Sequence, residues 1–354
     1  MDLPVRPPVE PMLARAADRV PAQPDGEPAW LYEPKWDGFR CLLFRDGDEV
    51  VLGSRGGKPL TRYFPEVVAG ALAELPARCV VDGELVVPGG NGEDGASGDR
   101  LDWELLSQRV HPAASRIETL SREQPALLVA FDLLAVGDED LTGRPTAQRR
   151  ERLARELPGG GPVVRVTRAT LEEDVAARWF ALFEGAGLDG VVAKPLDAPY
   201  APGQRVMTKV KHRRTAECVV VGYREHKSLP GVGSVLLGLR VGEEVRGVGA
   251  VTAFTTARRA QLLAELSALR LGEDVRTAGE PNRWNARRDT SWVPVRQELV
   301  WEVEYDQLEG SRFRHSPRFL RARPDRDPAG CALDQLDVPA RYSLADVLTG
   351  TGGR

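Results

Sequence analysis

Glu33-Pro34-Lys35-Trp36-Asp37-Gly38-Phe39-Arg40 is the stretch on which the reading of the fold turns. A lysine that attacks a phosphate must sit at a strand end or tight turn that presents its amine to the ligand. Lys35 stands just before such a turn, and Gly38 lets the backbone pass close to a bulky group. A free lysine amine titrates near about 10.4, so an attacking one needs nearby positive charge, metal or burial to lose its proton. Taken alone, the same pattern also describes a surface lysine beside a turn.

The flanking sequence supplies more. Phe39–Phe44 and Glu49–Ser54 read as strands around Asp46-Gly47-Asp48, a hairpin signature. Ser54-Arg55-Gly56 follows, then Leu60-Thr61 and Phe64-Pro65-Glu66. Pro65–Leu75 has helical spacing, and Cys79–Val87 and Leu127–Leu134 are apolar runs of buried-strand length. Within the first run, Asp82-Gly83-Glu84-Leu85 sets acids among apolar neighbours. Burying an unpaired acid is costly, so such an acid must face a cleft or find a partner. Phe131 lies in the second run, where it is either core or a platform for a base. Thr146–Leu157 and Leu171–Gly185 read as helices, Leu188–Lys194 and Val206–Lys211 as strands. Asp189 and Lys194 are five apart in one strand, which aims them at opposite faces unless the strand bends. Lys209 and Lys211 are two apart, so they share a face and repel unless an anion lies between them.

Residues 1–29 read as an irregular lead segment, Pro-rich and without the apolar core of a signal peptide. Gly89–Gly98 reads as an exposed Gly-rich loop. After Arg214 the pattern changes to closely spaced strands at Glu217–Tyr223, Val235–Val241 and Val245–Val251, one helix at Thr256–Leu269, a polar loop around Asn282–Asp289, and a strand at Glu298–Tyr305. Several strands plus one helix in that length fit a small β-barrel of the oligonucleotide-binding type. Two domains are expected, residues 1–213 and 214–354.

Composition narrows the classes. The chain has 354 residues, 42% hydrophobic and 28% charged, enough for ordinary globular cores. No apolar run reaches the ~20 residues of a membrane helix, and a cytoplasmic setting is expected. Cys41, Cys79, Cys218 and Cys331 are widely spaced and read as reduced, buried thiols; the four histidines are scattered and suggest no metal site. The net charge of −4 conceals two basic clusters. One is Lys209, Lys211, His212, Arg213 and Arg214; the other runs from Arg312 to Arg326 with Asp325 as its one acid. Local basic stripes are what phosphate contact requires. Trp284, Trp292 and Trp301 are expected to pack the second domain.

The ordered set from Leu31 to Lys211 resembles the covalent nucleotidyltransferases: ATP-dependent DNA ligases, RNA ligases and mRNA capping enzymes. Three further stretches make the whole chain similar to the bacterial ligase C family: Gly222-Tyr223-Arg224-Glu225-His226-Lys227, Tyr305-Asp306-Gln307-Leu308-Glu309-Gly310, and Arg312-Phe313-Arg314-His315 running on to Arg323-Pro324-Asp325-Arg326. That resemblance implies an α+β chain: a nucleotidyltransferase domain of ATP-grasp-like antiparallel sheets with helices, then an OB-fold β-barrel. It implies Lys35 as the nucleophile that carries AMP, with Lys194, Lys209 and Lys211 around the α-phosphate. Glu33 would contact the adenine amino group, Phe131 would stack on the base, and Arg40 and Glu84 would pair near the ribose. Glu84 and Asp189 would hold Mg²⁺ or Mn²⁺, and Arg323 and Arg326 would reach the ATP pyrophosphate. Arg55, Arg213, Arg214, Arg312 and Arg314 would contact DNA.

Four features depart from the broader pattern: Asp189 replaces Glu, Met207 replaces Trp, Arg205 lies closer to Lys209 than in many relatives, and Arg323-Pro324-Asp325-Arg326 has Arg where several ligases have Lys. The implied activity is sealing of 5′-phosphate/3′-hydroxyl nicks in DNA repair. The implied setting is a nucleoid-associated monomer working beside a repair polymerase or primase. An RNA ligase or capping-type enzyme is the enzymatic alternative, and a catalytically degenerate nucleic-acid-binding module the other.

Overall fold

The computed structural model describes residues 1–89, 99–111, 113–158, 160–279, 289–309, 312–336 and 339–349. The Gly-rich loop at 90–98 and most of the polar loop at 282–289, with Trp284, lie outside the described residues. The chain divides into two compact units, Met1–Lys211 with Pro339–Arg354, and His212–Val338.

Two sheets organise the first unit. One runs in the order β1 (Leu13–Ala17), β10 (Arg205–Lys211), β9 (Gly190–Pro195), β2 (Trp30–Lys35). The other runs β4 (Glu49–Ser54), β3 (Phe39–Asp46), β5 (Arg78–Val86), β6 (Leu127–Val136), β7 (Glu139–Asp140), with β8 (Val164–Val166) also on β6. The pairings are antiparallel except for β1 on β10 and β8 on β6. Alternation divides each strand between two environments. In β3, Cys41 and Leu43 join a core shared with helix α1 (Pro65–Glu74), and Leu42 and Phe44 join a second core with Met12, Tyr200 and Met207. In β9, Val191 and Ala193 pack with Trp179 of helix α5 (Glu173–Leu182), which leaves Val192 and Lys194 on the opposite face. Helices α2 (Trp103–Gln108), α3 (Ala114–Glu123) and α4 (Thr146–Glu156) complete the layer outside the β3–β6 sheet.

The lead segment contains β1, where an irregular run was expected. Leu-Ala-Arg-Ala-Ala has weak strand propensity, and its place at a sheet edge comes from pairing with β10. The short helices α2 and α3 also lay beyond the sequence reading, although Asp102 caps the first by accepting from Leu105 N–H at 2.9 Å.

The second unit is one sheet in the order β13 (Glu244–Val251), β12 (Val232–Val241), β11 (Arg214–Glu225), β15 (Val300–Tyr305), β18 (Arg318–Ala322), with β14 (Val293–Pro294) pairing on β11. Helix α6 (Thr256–Ser267) separates β13 from the later strands, and the hairpin of β16 (Leu308–Glu309) with β17 (Arg312–Phe313) separates β15 from β18. This is OB-fold strand order. The expected barrel is not closed: among the described residues β13 and β18 are the two free ends of the sheet. Trp301 is buried in its core and Trp292 packs against it.

The second domain was expected to continue to residue 354, and the tail corrects that boundary. Helix α7 (Leu344–Thr349) buries Leu344 and Val347 beside Phe183 in the first unit. Tyr342 meets the Phe183 ring at 5.1 Å, and Leu344 N–H donates to the Asp99 carbonyl at 2.9 Å. All four cysteines are free and buried, as expected.

Candidate active site

A cleft of about 780 Å³ opens in the first unit. Strand alternation points Glu33 and Lys35 of β2, Val192 and Lys194 of β9, and Met207 and Lys209 of β10 into it from one side. Arg40 of β3, Glu84 of β5 and Phe131 of β6 enter from the other sheet, and Arg55 and Lys58 line its rim.

Lys35 ends β2. Its Nζ lies 2.6 Å from Asp189 Oδ2, and Lys211 Nζ lies 2.6 Å from the same oxygen. The anion beside Lys211 is therefore Asp189, which it shares with Lys35. Burial alone would raise the Asp189 carboxyl; the amines of Lys35 and Lys211 overcome it and hold the group below the usual carboxylate range. Lys209 is pushed down, first by burial and then by the charges of Lys35, Lys211 and Arg55. Lys194 lines the cleft, and Asp189, which meets it through Lys35, stands outside β9, just before Gly190. The φ of Gly190 is +136°, and a Cβ there would stand 2.0 Å from the Val210 carbonyl oxygen. Only glycine fits.

Glu33 and Lys194 form a second, dry pair. Both are 2% exposed, with Nζ 2.8 Å from Glu33 Oε2 and 2.9 Å from the Phe131 carbonyl. Glu33 Oε1 is buried without a hydrogen-bond partner among the described residues. An orphaned acceptor at the cleft wall suits a ligand that brings a donor. The Phe131 ring is half-buried and faces the cleft, with Arg40 4.6 Å and Lys194 4.8 Å from its centroid. The ring therefore lines the cleft and is not sealed in the core.

Arg40 departs from expectation. It lies directly opposite Glu84 in the β3–β5 register, yet its guanidinium grips Asp82 with two bonds of 2.5 Å. Asp82 is fully buried and takes the arginine, and Glu84 keeps its carboxyl in the cleft. Burial pushes Glu84 up to about 7 against the pull of Arg40 and Lys35. A half-buried carboxyl in that state would be relieved by a cation. Oxygen donors without histidine suit Mg²⁺, which keeps several of its own waters. No group of three or more metal-binding side chains is present among the described residues. Asp189, the other expected metal ligand, gives one oxygen to two ammonium groups.

The departures resolve in part. Met207 is 4% exposed, shared between the inter-sheet core and the cleft wall, and Arg205 is exposed at the start of β10. Sequence reasoning missed Met12, Leu13 and Ala14 on the cleft wall because β1 itself was missed. It also missed Lys58, Tyr63 and Val110, which carry no pattern of their own.

The remaining expected residues belong to the second unit. Arg213 and Arg312 are exposed, and Arg214 donates to the Asp306 carbonyl. Burial pushes the half-buried Arg314 down to about 10, and its Nη1 donates to Gln307 at 3.2 Å. Arg323 pairs with Glu217, Glu302 and Asp325, and Arg326 with Glu217 at 2.6 Å.

Comparison with known proteins gives this geometry its family. The ATP dependent DNA ligase domain matches residues 11–211, and the ATP dependent DNA ligase C terminal region matches residues 229–326. The chain belongs to the ATP-dependent DNA ligases. It is 54% identical to DNA ligase C1 of Mycolicibacterium smegmatis over 98% of this chain and 99% of that one. It is 49% identical to DNA ligase C of Mycobacterium tuberculosis over 99% of both. A solved Lig E DNA ligase shares the fold, with a TM-score of 0.54 at 18% identity over 89% of this chain and 99% of that one. The ligase uses ATP and a divalent metal to seal nicks in DNA. Among the described residues no helix is long and apolar enough to cross a membrane.

Proposed function

We propose that Lys35 is the nucleophile of this ligase and that the cleft around it performs all three steps of nick sealing. The observation that carries this is the single Asp189 oxygen 2.6 Å from both Lys35 and Lys211, with Lys35 lining a cleft that also holds Lys209. ATP would enter with its adenine on Phe131, its amino group donating to Glu33 Oε1. Lys35 must shed a proton before its lone pair attacks the α-phosphorus, and Asp189 Oδ2 is the acceptor at hand. The P–N bond forms as the bond to pyrophosphate breaks. Lys194, Lys209 and Lys211 would meet the charge that builds on the α-phosphate oxygens, a preorganised stabilisation that needs no solvent reorganisation.

Glu84 and Asp189 would hold the divalent cation, which neutralises phosphate charge when bound. Arg323 and Arg326 would contact the pyrophosphate half of ATP. AMP then passes to the 5′-phosphate of a nick, gripped by Arg55, and the 3′-hydroxyl displaces AMP. Arg213, Arg214, Arg312 and Arg314 would hold the duplex through its phosphates. We place the reaction in DNA repair, with a polymerase or primase as protein partner and the nucleoid as its location.

Incubation with α-labelled ATP and Mg²⁺ tests the assignment. Label should remain on denatured wild-type protein, map to Lys35 by peptide mass spectrometry, and be absent from Lys35→Ala. An adduct on another residue, or a labelled Lys35→Ala protein, refutes it.

A further inference from the structure

Arg40 is docked into the fold along one edge only. Nε donates to Asp82 Oδ1 at 2.5 Å, and Nη2 donates to Asp82 Oδ2 at 2.5 Å and to the Met12 carbonyl at 3.2 Å. Those three bonds use the donors of Nε and Nη2. Nη1 has no hydrogen-bond partner shown among the described residues, and Arg40 lines the cleft with its Cζ 4.6 Å from the Phe131 ring centroid. The free edge of a rigid fork is therefore offered to whatever lies on that ring.

What fixes the docked edge is a residue outside the cleft. Tyr200 is 4% exposed and does not line it. Its hydroxyl donates to Asp82 Oδ2 at 2.7 Å and accepts from Met12 N–H at 3.0 Å. A phenol has one proton, so these two bonds set the direction of the hydroxyl uniquely. Tyr200 thereby ties three things together: the acid that holds Arg40, the backbone whose carbonyl also holds Arg40, and the lead segment that walls the cleft. Burial first, and the Asp82 charge second, push the Tyr200 hydroxyl well above its ordinary range, so it stays a donor.

We infer that Tyr200 is a positioning residue for nucleotide selection, acting through Asp82 and Met12 to aim the free Nη1 edge of Arg40 at the sugar hydroxyls of ATP. This rests on the reading of the cleft as the ATP site. Removing the hydroxyl would leave Asp82 with one donor fewer and the buried Met12 N–H without an acceptor. Arg40 would keep its charge and lose its fixed angle. Lys35, Asp189 and Lys211 are not in this network, so the chemical step should persist once ATP is bound.

The test uses the full chain carrying Tyr200→Phe, which keeps the ring and its packing. Lysine adduct formation is followed against ATP concentration, and again with 3′-deoxy-ATP. The KM for ATP should rise about tenfold, the equivalent of one modest hydrogen bond, with kcat for adduct formation within about twofold of wild type. The preference for ATP over 3′-deoxy-ATP should narrow, because aim at a hydroxyl has been lost. Tyr200→Leu, which removes ring and hydroxyl, serves as the folding comparison by thermal melting. A Tyr200→Phe enzyme with unchanged KM and unchanged preference overturns the inference. So does one in which both nucleotides weaken equally, since that marks general loosening of the cleft. Absence of any adduct on wild-type protein would instead sink the underlying assignment of the site.

Discussion

Glu33→Gln isolates the dry pair at the inner end of the cleft. The side chains of Glu33 and Lys194 are each 3% exposed, with 2.8 Å between Oε2 and Nζ. Solvent therefore does little to screen the pair. Breaking a buried pair by removing one partner costs about 3–5 kcal/mol, because the other charge is left without compensation. Lys194 would still donate to the Phe131 carbonyl at 2.9 Å and lie 4.8 Å from the ring centroid. Those contacts place the cost near the lower end, about 3 kcal/mol. For a unit of this size that corresponds to a fall in Tm of about 6–12 °C. Lys194→Met should cost a similar amount, since Arg150, at 3.7 Å from Glu33 Oε1, is a distant substitute. The double variant removes both charges and should melt no lower than the worse single one. The assay is thermal unfolding of the four proteins followed by near-ultraviolet circular dichroism, read as a double-mutant cycle. Strictly additive losses would show that the two charges do not support each other, and the account of the pair would be wrong.

Asp189→Asn should slow lysine adduct formation about a hundredfold or more at saturating ATP, because the residue that holds Lys35 and Lys211 loses its charge; a rate within twofold of wild type in a rapid-quench assay refutes the clamp. Gly38→Ala would place a Cβ 2.0 Å from the Leu85 carbonyl oxygen, so the turn after Lys35 should shift and adduct formation should fall below detection, while a variant of normal activity would contradict the close approach. Truncation after residue 338 removes the burial of Leu344 and Val347, about 3–6 kcal/mol together, and should lower the first melting transition in differential scanning calorimetry; an unchanged transition would show that the tail adds nothing. Arg323→Ala with Arg326→Ala should impair adduct formation from ATP more than sealing by enzyme already carrying AMP, and equal effects on both would remove their proposed role.

The sequence carried the sheets well because their strands are long and their glycines specific. Cys79–Val87 and Leu127–Leu134 could be read directly, since a run buried on most of its length must be apolar throughout. The lead segment failed for the opposite reason. Leu13–Ala17 holds helix formers rather than the β-branched and aromatic residues of a strand, and its pairing with β10 depends on a register nearly two hundred residues away. The tail was misassigned on similar grounds: six residues of helix show no signature that says which unit they cover, and the deciding contacts are with Phe183 and Asp99.

At the site, the chemistry of single residues was legible and their partnerships were not. Lys209 and Lys211 on one face demanded an anion, and Asp189, just before β9, pairs with Lys211. Arg40 was harder. Asp82 and Glu84 are two apart on β5 and share a face, so either could take the guanidinium. Register favours Glu84, directly opposite; the salt bridge goes diagonally to Asp82. The choice follows from desolvation. Asp82 is fully buried and must be compensated within the protein, by Arg40 and by Tyr200, whereas Glu84 borders the cleft and can wait for a cation. Which of two like residues is buried is a property of the second sheet packed above them, and no pattern along β5 records it. That same packing is what turns two adjacent carboxylates to different surroundings, one fixing an arginine and the other left facing the cleft.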